Sequence, residues 1–570
     1  MKSKSCLLIA LVGALGGVSV AAETERADVV VVAATPAGVA AAVAAARSGA
    51  SVILVEEGQH VGGIVAGGLT NTDIRKHAAV GGLYNEFKRR VREHYVRTYG
   101  HDSEQVRLCR DGNRFEPKVA EMVFRQLLAG EERIRLVERQ RLVAARVLAA
   151  VSDDDDIVGG ADRIERNAAP GRRIDGAPPK EFGPAARLVS IVAQDLSAGG
   201  KRTEFRARVF IDATYEGDLA ALAGVPYRVG RESRQTFGEP HAGNIYVRFG
   251  DHNPLPGSTG EADGGIQAFC FRFHLTRDKD NAVPIEQPEG YRRDDYRALL
   301  ADVAAGKITR LDQVIQFYPM PNGKFEINSD HAHPNTGVPS ESLDLAEENW
   351  GWPEAGPEER ERLFARYWSY NEGLMWLLLQ DESVPQAIRN EAQQWGFPKD
   401  EFVDHRHRPH HIYVRQGRRI WGDYNFTERD ADRDFATGLP KRKPDGVAVA
   451  EFEFDSHAVH KFDDAHPGVR EGYFFVDHEP LQLPYRICVP KCVDGLLVPV
   501  ACSASHVGYQ TIRMEPVFMA LGEACGIAAQ IAQPTRGDVR TIDAAALQRE
   551  ILRRGGVVLY ECAPLRPDGL

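Results

Sequence analysis

Three arginines, Arg415, Arg418 and Arg419, lie close together in the sequence. A guanidinium group presents paired N–H donors that match the oxygens of a carboxylate or a phosphate. Such a cluster can hold an anionic group of a substrate, and we take Arg415 and Arg419 as candidate substrate-binding residues. Salt bridges to the many acidic residues nearby are the alternative, and the sequence leaves both open.

Histidine is the side chain best suited to take up or release a proton near neutral pH. His506 follows the small residues at 503–505, and His457 follows Asp455 and Ser456. Both histidines are candidates for acid–base chemistry. A hydrogen-bonded structural role is the alternative for each of them.

Four further histidines lie within one short, charged run: His405, His407, His410 and His411. Their spacing matches no metal-binding motif, so the run is predicted to be a solvated loop, and no metal site is predicted in the chain. An acidic run at 153–156 fits no known calcium loop either. We assign residues from about 152 to 184 to a solvated insertion loop.

The elements that must position such groups begin with a strand–helix–strand pattern. The β-branched run at 29–32 predicts a strand buried on both faces, the alanine-rich stretch 38–47 a helix, and the run 51–55 a second buried strand. Glu56 follows this second strand, where a carboxylate accepts hydrogen bonds from a nucleoside ribose while the helix N-terminus faces a pyrophosphate. The pattern predicts a dinucleotide-binding unit, with a purely structural unit as the alternative.

The turn between strand and helix departs from the usual G-x-G-x-x-G fingerprint, because only Gly38 remains of its three glycines. Ala33 and Thr35 stand at the first two glycine positions. An alanine is tolerated there if its φ stays negative, and the Thr35 hydroxyl can donate to a phosphate. The candidate cofactor-binding residues of this unit are Ala33, Thr35, Pro36, Ala37, Gly38, Glu56 and Glu57.

Two more segments extend the site beyond this unit. Paired glycines at 62–63 and 67–68 let the backbone pass close to a ligand. Near the C-terminus, residues 496–500 predict a strand, followed by an irregular loop and a helix of small residues that begins near Glu515. Of the glycines, Gly62 and Gly63 are the candidate cofactor-binding residues.

The chain has 570 residues and a formal net charge of -11. This length predicts two domains or one domain with insertions. The negative charge, without a basic stripe, argues against nucleic acid as a partner. Lys2 and Lys4, the apolar run 6–20 and the small residues at 19–22 have the layout of a secretory signal peptide, which we assign to residues 1–22. We therefore expect a periplasmic or secreted protein with no membrane span after signal cleavage.

These segments together resemble the FAD-dependent oxidoreductases, flavoproteins of the glutathione-reductase-like class, and in particular exported bacterial members of that family. The resemblance runs over nearly the whole mature chain. It is carried, in order, by the segments 35–56, 60–73, 210–233, 411–424, 454–457, 484–499 and 503–530. It implies FAD as the cofactor and an α/β fold, in which a discontinuous Rossmann-like FAD-binding domain holds an inserted α+β substrate or cap domain.

The resemblance also implies domain boundaries. The first part of the FAD-binding domain is expected at 27–243, the substrate or cap domain at 244–485, and a C-terminal part that closes over the flavin at 486–570. Within the first part, Ala213 and Thr214 are expected beside the cofactor.

Residue roles follow from the same resemblance. It places the loop that carries His506 beside the isoalloxazine ring, which makes His506 the first candidate for acid–base catalysis and His457 the second. Arg513 lies just before the closing helix, where its charge can stabilise an anionic reduced flavin or orient a substrate acid. Glu515 is expected to bind the ribityl chain, and Gly522 to contact the flavin through its backbone.

The expected function is that of an exported FAD-dependent oxidoreductase that dehydrogenates an alcohol or a sugar-like small polar substrate by hydride transfer to flavin. Reduction of an activated double bond is the alternative among enzymes. A non-catalytic binding protein on a flavoprotein scaffold is the alternative outside them, because two fingerprint glycines are missing. The expected partners are a small-molecule substrate and an electron acceptor that the sequence does not identify.

Overall fold

The computed structural model describes residues 23–150, 163–197, 199–248, 251–328, 343–434, 437–461, 465–466 and 468–561. The expected signal peptide at 1–22 and the acidic run at 153–156 lie outside these ranges. Within them, every helix is too short or too polar to span a lipid bilayer.

The described ranges contain both helices and strands from end to end. The α-helices are α1 (Pro36–Arg47), α2 (Gly63–Ala66), α3 (Gly82–Tyr99), α4 (Glu104–Leu108), α5 (Pro117–Ala129), α6 (Asp218–Leu222), α7 (Arg234–Phe237), α8 (Arg297–Ala304), α9 (Pro357–Gln380), α10 (Gln386–Ala392), α11 (His506–Ile512), α12 (Glu515–Ile531) and α13 (Ala544–Arg553). The strands are β1 (Glu23–Arg26), β2 (Val29–Val32), β3 (Val52–Val55), β4 (Ile134–Val137), β5 (Gln140–Ala150), β6 (Arg163–Asn167), β7 (Ala186–Asp195), β8 (Arg202–Arg206), β9 (Val209–Asp212), β10 (Tyr227–Arg228), β11 (Phe273–Thr276), β12 (Ala282–Val283), β13 (Gln316–Met320), β14 (Lys324–Asn328), β15 (Phe397–Pro398), β16 (Arg419–Ile420), β17 (Gly446–Ala450), β18 (Phe454–Ser456), β19 (Phe474–Val476), β20 (Leu481–Pro484), β21 (Val493–Asp494) and β22 (Leu496–Leu497).

A five-stranded parallel sheet carries the nucleotide-binding pattern, in the order β22-β9-β2-β3-β4. Its central strand β2 consists of four buried valines, as expected for a strand covered on both faces. Helix α1 connects β2 to β3, so the predicted strand–helix–strand unit is confirmed. Because β22 comes from the C-terminal segment, both ends of the chain build one sheet.

The two faces of this sheet pack against different layers. Successive side chains of a strand point to opposite faces, and β2 shows this alternation. Val29 and Val31 belong to a core that includes α1, α5 and α12. Val30 and Val32 pack against residues of β5, β7 and β8, which belong to a second sheet of order β1-β8-β7-β5-β6, with β21 beside β7. The parallel sheet is thus enclosed between a helical layer and a largely antiparallel sheet.

The middle of the chain builds a separate arrangement of helices and small sheets. Strands β11, β14 and β13 form an antiparallel sheet, and helix α9 supplies Trp368, whose ring meets Phe271 and Phe273 edge to face. The expected fold class, a discontinuous α/β domain with an α+β insertion, is confirmed. The limits placed at 243/244 and 485/486 stay predictions.

Two sequence expectations about secondary structure are wrong. Residues Arg163–Asn167, assigned to a solvated loop, form β6, because they pair antiparallel with the edge of β5. The strand expected at 496–500 ends at Leu497, since the Val498 N–H turns away and donates to the carbonyl of Cys488 at 2.8 Å.

Candidate functional site

The turn between β2 and α1 closes tightly over residues 33–38. Ala33 has a φ of +72°, a left-handed conformation that residues other than glycine rarely adopt. The expectation that this alanine keeps a negative φ is therefore wrong: the turn requires the glycine conformation, and the alanine adopts it under strain. A Cβ on Gly38 would lie 1.9 Å from the Ala33 carbonyl oxygen, so the remaining glycine of the fingerprint cannot be replaced without moving the turn.

Thr35 is the N-cap of α1. Its hydroxyl oxygen accepts the Gly38 N–H at 3.2 Å, and the hydroxyl donates to the Ala213 carbonyl at 2.9 Å. Because this hydrogen is already used within the protein, the expected donation from Thr35 to a phosphate is wrong for this structure. Pro36 occupies the first turn of the helix, where its missing N–H costs no hydrogen bond.

Helix α12 packs directly on α1 through its glycines. A Cβ on Gly522 would lie 2.2 Å from the Ala37 carbonyl oxygen, and one on Gly526 would lie 2.2 Å from that of Ala41. Gly522 was expected to contact the flavin through its backbone. The structure places its open side against Ala37, so its missing side chain serves helix packing, and the contact with flavin stays a prediction.

Glu56 lies at the C-terminal end of β3, next to the end of β2. One of its carboxylate oxygens accepts the Ala34 N–H and the other accepts the Gly58 N–H, each at 2.7 Å. Burial raises the pKa of Glu56 more than these two hydrogen bonds lower it. Glu57, by contrast, is exposed and pairs with Arg141 at 2.8 Å.

Gly62 and Gly63 must be glycines, because neighbouring protein groups leave no room for a side chain at either position. Gly62 and Gly63 have φ values of +106° and +49°. A Cβ on Gly62 would lie 2.4 Å from the Phe124 ring, and one on Gly63 would lie 2.6 Å from the Tyr215 hydroxyl. The same Cβ would lie 3.2 Å from Pro36, so the pair brings this segment to the N-terminus of α1.

Tyr215 connects this segment to the start of the closing helix. Its hydroxyl donates to one oxygen of Glu515 at 2.8 Å and accepts the Ile64 N–H at 3.2 Å. The other Glu515 oxygen is buried and has no hydrogen-bond partner. Burial raises the pKa of Glu515 to about 8. An unpaired buried oxygen of this kind costs about 1–3 kcal/mol, which a hydroxyl group of a ligand would remove.

The residues after β9 end beside the same turn. Asp212 accepts the N–H and the hydroxyl of Thr214, at 3.0 and 2.7 Å, and the Ala220 N–H at 2.7 Å. The hydroxyl of Thr214 is therefore used within its own turn. Ala213 lies at the N-terminus of α1, where its carbonyl accepts the hydroxyl of Thr35.

His506 begins α11 and is 1% exposed. Its backbone N–H donates to Glu232 at 2.7 Å, but neither ring nitrogen has a hydrogen-bond partner. Burial and the positive charges of Arg419 and Arg231 hold the pKa of His506 well below its usual value. The imidazole is therefore neutral at physiological pH.

Five ionisable residues form a largely buried chain from the closing segment into the middle part of the protein. Arg513 donates to Asp455 at 2.7 Å, and the Nε2 of His457 lies 3.7 Å from the same carboxylate. The Nδ1 of His457 lies 2.6 Å from Asp344, whose other oxygen accepts from Arg415 at 2.8 Å. Burial alone would raise the pKa of Asp455, but Arg513 and His457 hold it below its usual range. Three predicted site residues, Arg513, His457 and Arg415, thus meet in one network.

Two glutamines close part of this chain into a ring. The side-chain oxygen of Gln510 accepts from the Nε of Arg513 at 3.2 Å and from the amide of Gln267 at 2.7 Å. The side-chain oxygen of Gln267 accepts the backbone N–H of His457 at 3.2 Å. Since Gln510 belongs to α11 and Gln267 to the middle part, the ring fixes these two parts against each other.

Arg419 lies apart from this network and is fully buried. It donates to Glu232 at 2.8 Å, to the Ala504 carbonyl at 3.2 Å and to the Gly230 carbonyl. These partners use most of the donors that a substrate acid would need. Arg419 is therefore a structural salt-bridge residue, which was the alternative to substrate binding.

The end of the histidine run folds back onto the segment after Glu56. His410 and His411 are half-buried, and the His410 ring stacks on that of His60, with centroids 3.9 Å apart. Burial lowers the pKa of His411 to about 4 and that of His410 well below its usual value. The prediction of a solvated loop is wrong for these two residues, because their rings pack against other protein groups and are largely shielded from solvent.

One group of three carboxylates in the described part of the chain is close enough to share a cation: Glu116, Asp400 and Glu401. The Lys324 ammonium lies 2.7, 2.7 and 2.5 Å from them, in that order. A side chain therefore supplies the positive charge in this cluster.

Sequence reasoning missed several members of the site. Asp344 stands in no recognisable motif, so nothing signalled its contact with a histidine far along the chain. Asp455 offered a signal, since it precedes His457 by two positions. Asp73 closes the glycine-rich segment, and burial raises its pKa to about 6, with Arg272 acting in the opposite direction.

The donor and acceptor set at the carboxyl ends of β2, β3 and β9 fits FAD. Glu56 offers a carboxylate where a ribose is bound, and α1 has no acidic residue in its first turn, as an N-terminus facing a pyrophosphate requires. The unpaired oxygen of Glu515 offers an acceptor for the polar chain that joins pyrophosphate to flavin. The residues present therefore match a dinucleotide with a hydroxylated linker.

Comparison with known proteins gives a family and distant structural likenesses. No curated protein matches the sequence. The chain is similar to E. coli quinol fumarate reductase FrdA, with 14% identity over 93% of this chain and 74% of that chain and a TM-score of 0.30. It is also similar to L-proline dehydrogenase from P. horikoshii, with 13% identity over 34% of this chain and 23% of that chain and a TM-score of 0.16.

A third likeness is to 3-ketosteroid-delta4-(5alpha)-dehydrogenase from Rhodococcus jostii, with 18% identity over 36% of this chain and 50% of that chain and a TM-score of 0.18. The chain spans at most half the length of these two dehydrogenases. The family model described as FAD dependent oxidoreductase matches residues 28–168 and 177–551. The chain therefore belongs to the FAD-dependent oxidoreductase family, and its cofactor is FAD.

Proposed function

We propose that the protein dehydrogenates an alcohol or a sugar-like small polar substrate, with His457 as the group that moves the hydroxyl proton. The observation that carries this proposal is the 2.6 Å contact between the Nδ1 of His457 and Asp344, within a buried network that includes Arg513. Bound FAD supplies the hydride chemistry, and the protein supplies proton transfer and orientation.

Three groups are proposed to hold the cofactor. Glu56 accepts from the adenosine ribose, the N-terminus of α1 faces the pyrophosphate, and Glu515 accepts from the ribityl chain. The first two follow from the position of these groups at the carboxyl ends of parallel strands. The third follows from the unpaired oxygen of Glu515.

The hydrogen-bond partners of His457 determine the tautomer of its imidazole ring. A carboxylate at Nδ1 accepts a hydrogen bond, so Asp344 holds the proton on Nδ1, and the lone pair of the neutral ring then lies on Nε2, on the side of Asp455. When Nε2 takes up the hydroxyl proton, the resulting imidazolium lies between Asp344 and Asp455. Two carboxylates stabilise this cation, so the pair supports a base that becomes charged during the reaction.

His506 is less suited to this role than His457, although its sequence position made it the first candidate. Its ring lies among arginines and is fully enclosed, so gaining a proton there is strongly opposed. No carboxylate orients its nitrogens. We assign His506 a place in the packing of the closing segment.

Replacement of the two histidines separates these roles. In His457→Gln, we expect the rate of flavin reduction by substrate to fall about 10²–10⁴-fold, as for loss of a general base, with flavin content unchanged. The matched change His506→Gln should leave the rate within a few-fold of the parent rate. Stopped-flow absorbance with a panel of alcohols and polyols measures both. A large loss in His506→Gln with a parent-like His457→Gln would overturn the assignment.

Reduction of an activated double bond is the second candidate, because a His457 held between two carboxylates also suits a proton donor. Product analysis with alcohols and with enoates distinguishes the two, since each direction consumes only one substrate class.

We also propose export to the periplasm or beyond, supported by the charged, apolar and small-residue order of residues 1–22. N-terminal sequencing of protein from fractionated cells tests it. A protein that keeps residue 1 and stays in the cytoplasm would contradict export.

A further inference from the structure

A cavity of about 240 Å³ opens beside Glu56, and residues from two distant parts of the chain line it. Glu56, Gln59 and His60 come from the segment after β3. Asp404 directly precedes the histidine run, and His410 and His411 end it. The cavity therefore lies where the ribose-binding carboxylate faces a loop of the middle part of the protein.

His60 and His410 form a stacked pair at this cavity, but their surroundings are opposite. His60 contacts Glu121 through Nδ1 and Asp404 through Nε2, each at 3.1 Å. Although burial lowers the pKa of His60, these carboxylates raise it above its usual value. His60 is thus held by its neighbours and favours the charged form.

His410 has no such neighbours. Both of its ring nitrogens are buried, and neither has a hydrogen-bond partner. Its ring is neutral, because burial and the nearby His60 oppose a second positive charge. A neutral imidazole offers one donor and one acceptor, and leaving both unpaired in a buried place is unfavourable.

The loop that carries His410 is held in unusual backbone conformations. Phe402, Arg406 and His407 have φ values of +48°, +56° and +61°. Such conformations persist only where surrounding structure enforces them. Here a hydrogen bond within the loop, between His407 Nδ1 and the Glu401 carbonyl at 3.1 Å, and the stacking of His410 on His60 hold the loop over the cavity.

We propose that His410 hydrogen-bonds the adenosine part of FAD, so that a residue of the middle part of the protein closes the cofactor site over the ribose held by Glu56. The ligand chemistry required is a nucleoside with ring nitrogens and hydroxyls that can pair with both nitrogens of a neutral imidazole. This inference rests on FAD as the cofactor and not on the reaction or on His457.

Binding to the apoprotein of the full chain tests the proposal with three probes. ADP carries the adenosine and pyrophosphate, FMN carries the flavin without adenosine, and FAD carries both. In His410→Ala, we expect the dissociation constants of FAD and ADP to rise by the same factor, at least about tenfold, as for the loss of one or two buried hydrogen bonds. The FMN constant should stay within twofold. Flavin fluorescence and competition by ADP measure these values.

Two further variants separate hydrogen bonding from stacking and from general damage to the loop. His410→Phe keeps a ring over His60 but has no hydrogen-bonding nitrogen, so it should bind FAD as weakly as His410→Ala. Arg406→Ala, at an exposed position of the same loop and outside the cavity lining, should bind FAD like the parent. Unchanged ADP binding in His410→Ala, equal weakening of FAD and FMN, or restored FAD binding in His410→Phe would each overturn the proposal.

Discussion

At the scale of single residues, the fingerprint turn is a strained part of the cofactor site. Ala33 holds a φ of +72°, and a Cβ added to Gly38 would lie only 1.9 Å from the Ala33 carbonyl oxygen. The closed turn thus fixes a conformation that suits glycine, while the sequence provides alanine. The strain of an L-residue there is about 1–2 kcal/mol.

Ala33→Gly should therefore stabilise the protein. Relief of the left-handed strain exceeds the added freedom of glycine in the unfolded chain, so we expect a net gain of about 0.5–1 kcal/mol in the free energy of unfolding. Ala42→Gly, within helix α1, should instead destabilise by about 1 kcal/mol or more. Urea unfolding of the apoprotein compares them. A loss of stability in Ala33→Gly would show that the turn does not have this conformation.

Many residues of the candidate site could be predicted from the sequence. The residues that could not be predicted depend on contacts between distant segments. Glu56 and the helix N-terminus follow from local pattern, because strand, turn and helix are neighbours in sequence. Asp344 was missed since its partner His457 lies far along the chain, and no local pattern encodes that meeting. The same reason explains why His506 was preferred to His457.

At the scale of elements, the contact of α1 with α12 joins the first helix of the cofactor unit to the closing segment. Both helices are rich in small residues, and the glycines of α12 face the backbone of α1. Small residues let two backbones approach more closely than larger side chains allow. The helices themselves were predicted from composition, whereas their mutual packing required the structure.

Gly526→Val should separate these helices. A Cβ at this position would lie 2.2 Å from the Ala41 carbonyl oxygen and 3.0 Å from the Ala44 Cβ, so α12 must move. We expect a loss of about 1–3 kcal/mol or more in stability and a lower flavin content in the purified protein. Ala520→Val, on a half-buried position of the same helix, should retain its flavin. Absorbance at the flavin band relative to protein measures the content.

At the scale of the whole molecule, the buried cluster around Lys324 fastens the middle part of the protein to the nucleotide-binding part. Lys324 lies on β14, Glu116 precedes α5, and Glu401 lies just after β15. Burial raises the pKa of Glu401 to about 7, although Lys324 lowers it. The fold class was predictable from the order of motifs, but this fastening was not, because its members are scattered.

Lys324→Met should destabilise the protein in a pH-dependent way. It leaves buried carboxylates without their cation, which costs about 3–5 kcal/mol at neutral pH. Without Lys324 the pKa of Glu401 rises further, so the variant is most stable below about pH 4.3, where this carboxyl is protonated in both states, and loses stability as the pH rises through 7. Its deficit relative to the parent should be small at pH 5 and large at pH 8. Thermal melts check this.

Lys118→Met is the matched control, since the Lys118 side chain is 44% exposed and contacts the same carboxylates. Exposed pairs contribute about 0–1 kcal/mol. A deficit in Lys324→Met that is equal at both pH values would mean that the carboxylates do not depend on this cation.

The parallel sheet takes β22 from the far end of the chain, whereas β2 and β3 come from its beginning. While the polypeptide is made from N- to C-terminus, the edge of β9 therefore waits with unpaired backbone groups until residues near 496 have emerged. Pairings so distant in sequence form slowly, and an open edge in the meantime invites association with other chains. A nascent chain that ends before Glu515 contains the fingerprint turn but lacks helix α12, which packs on α1. We therefore expect FAD to bind only after almost the whole chain has been synthesised.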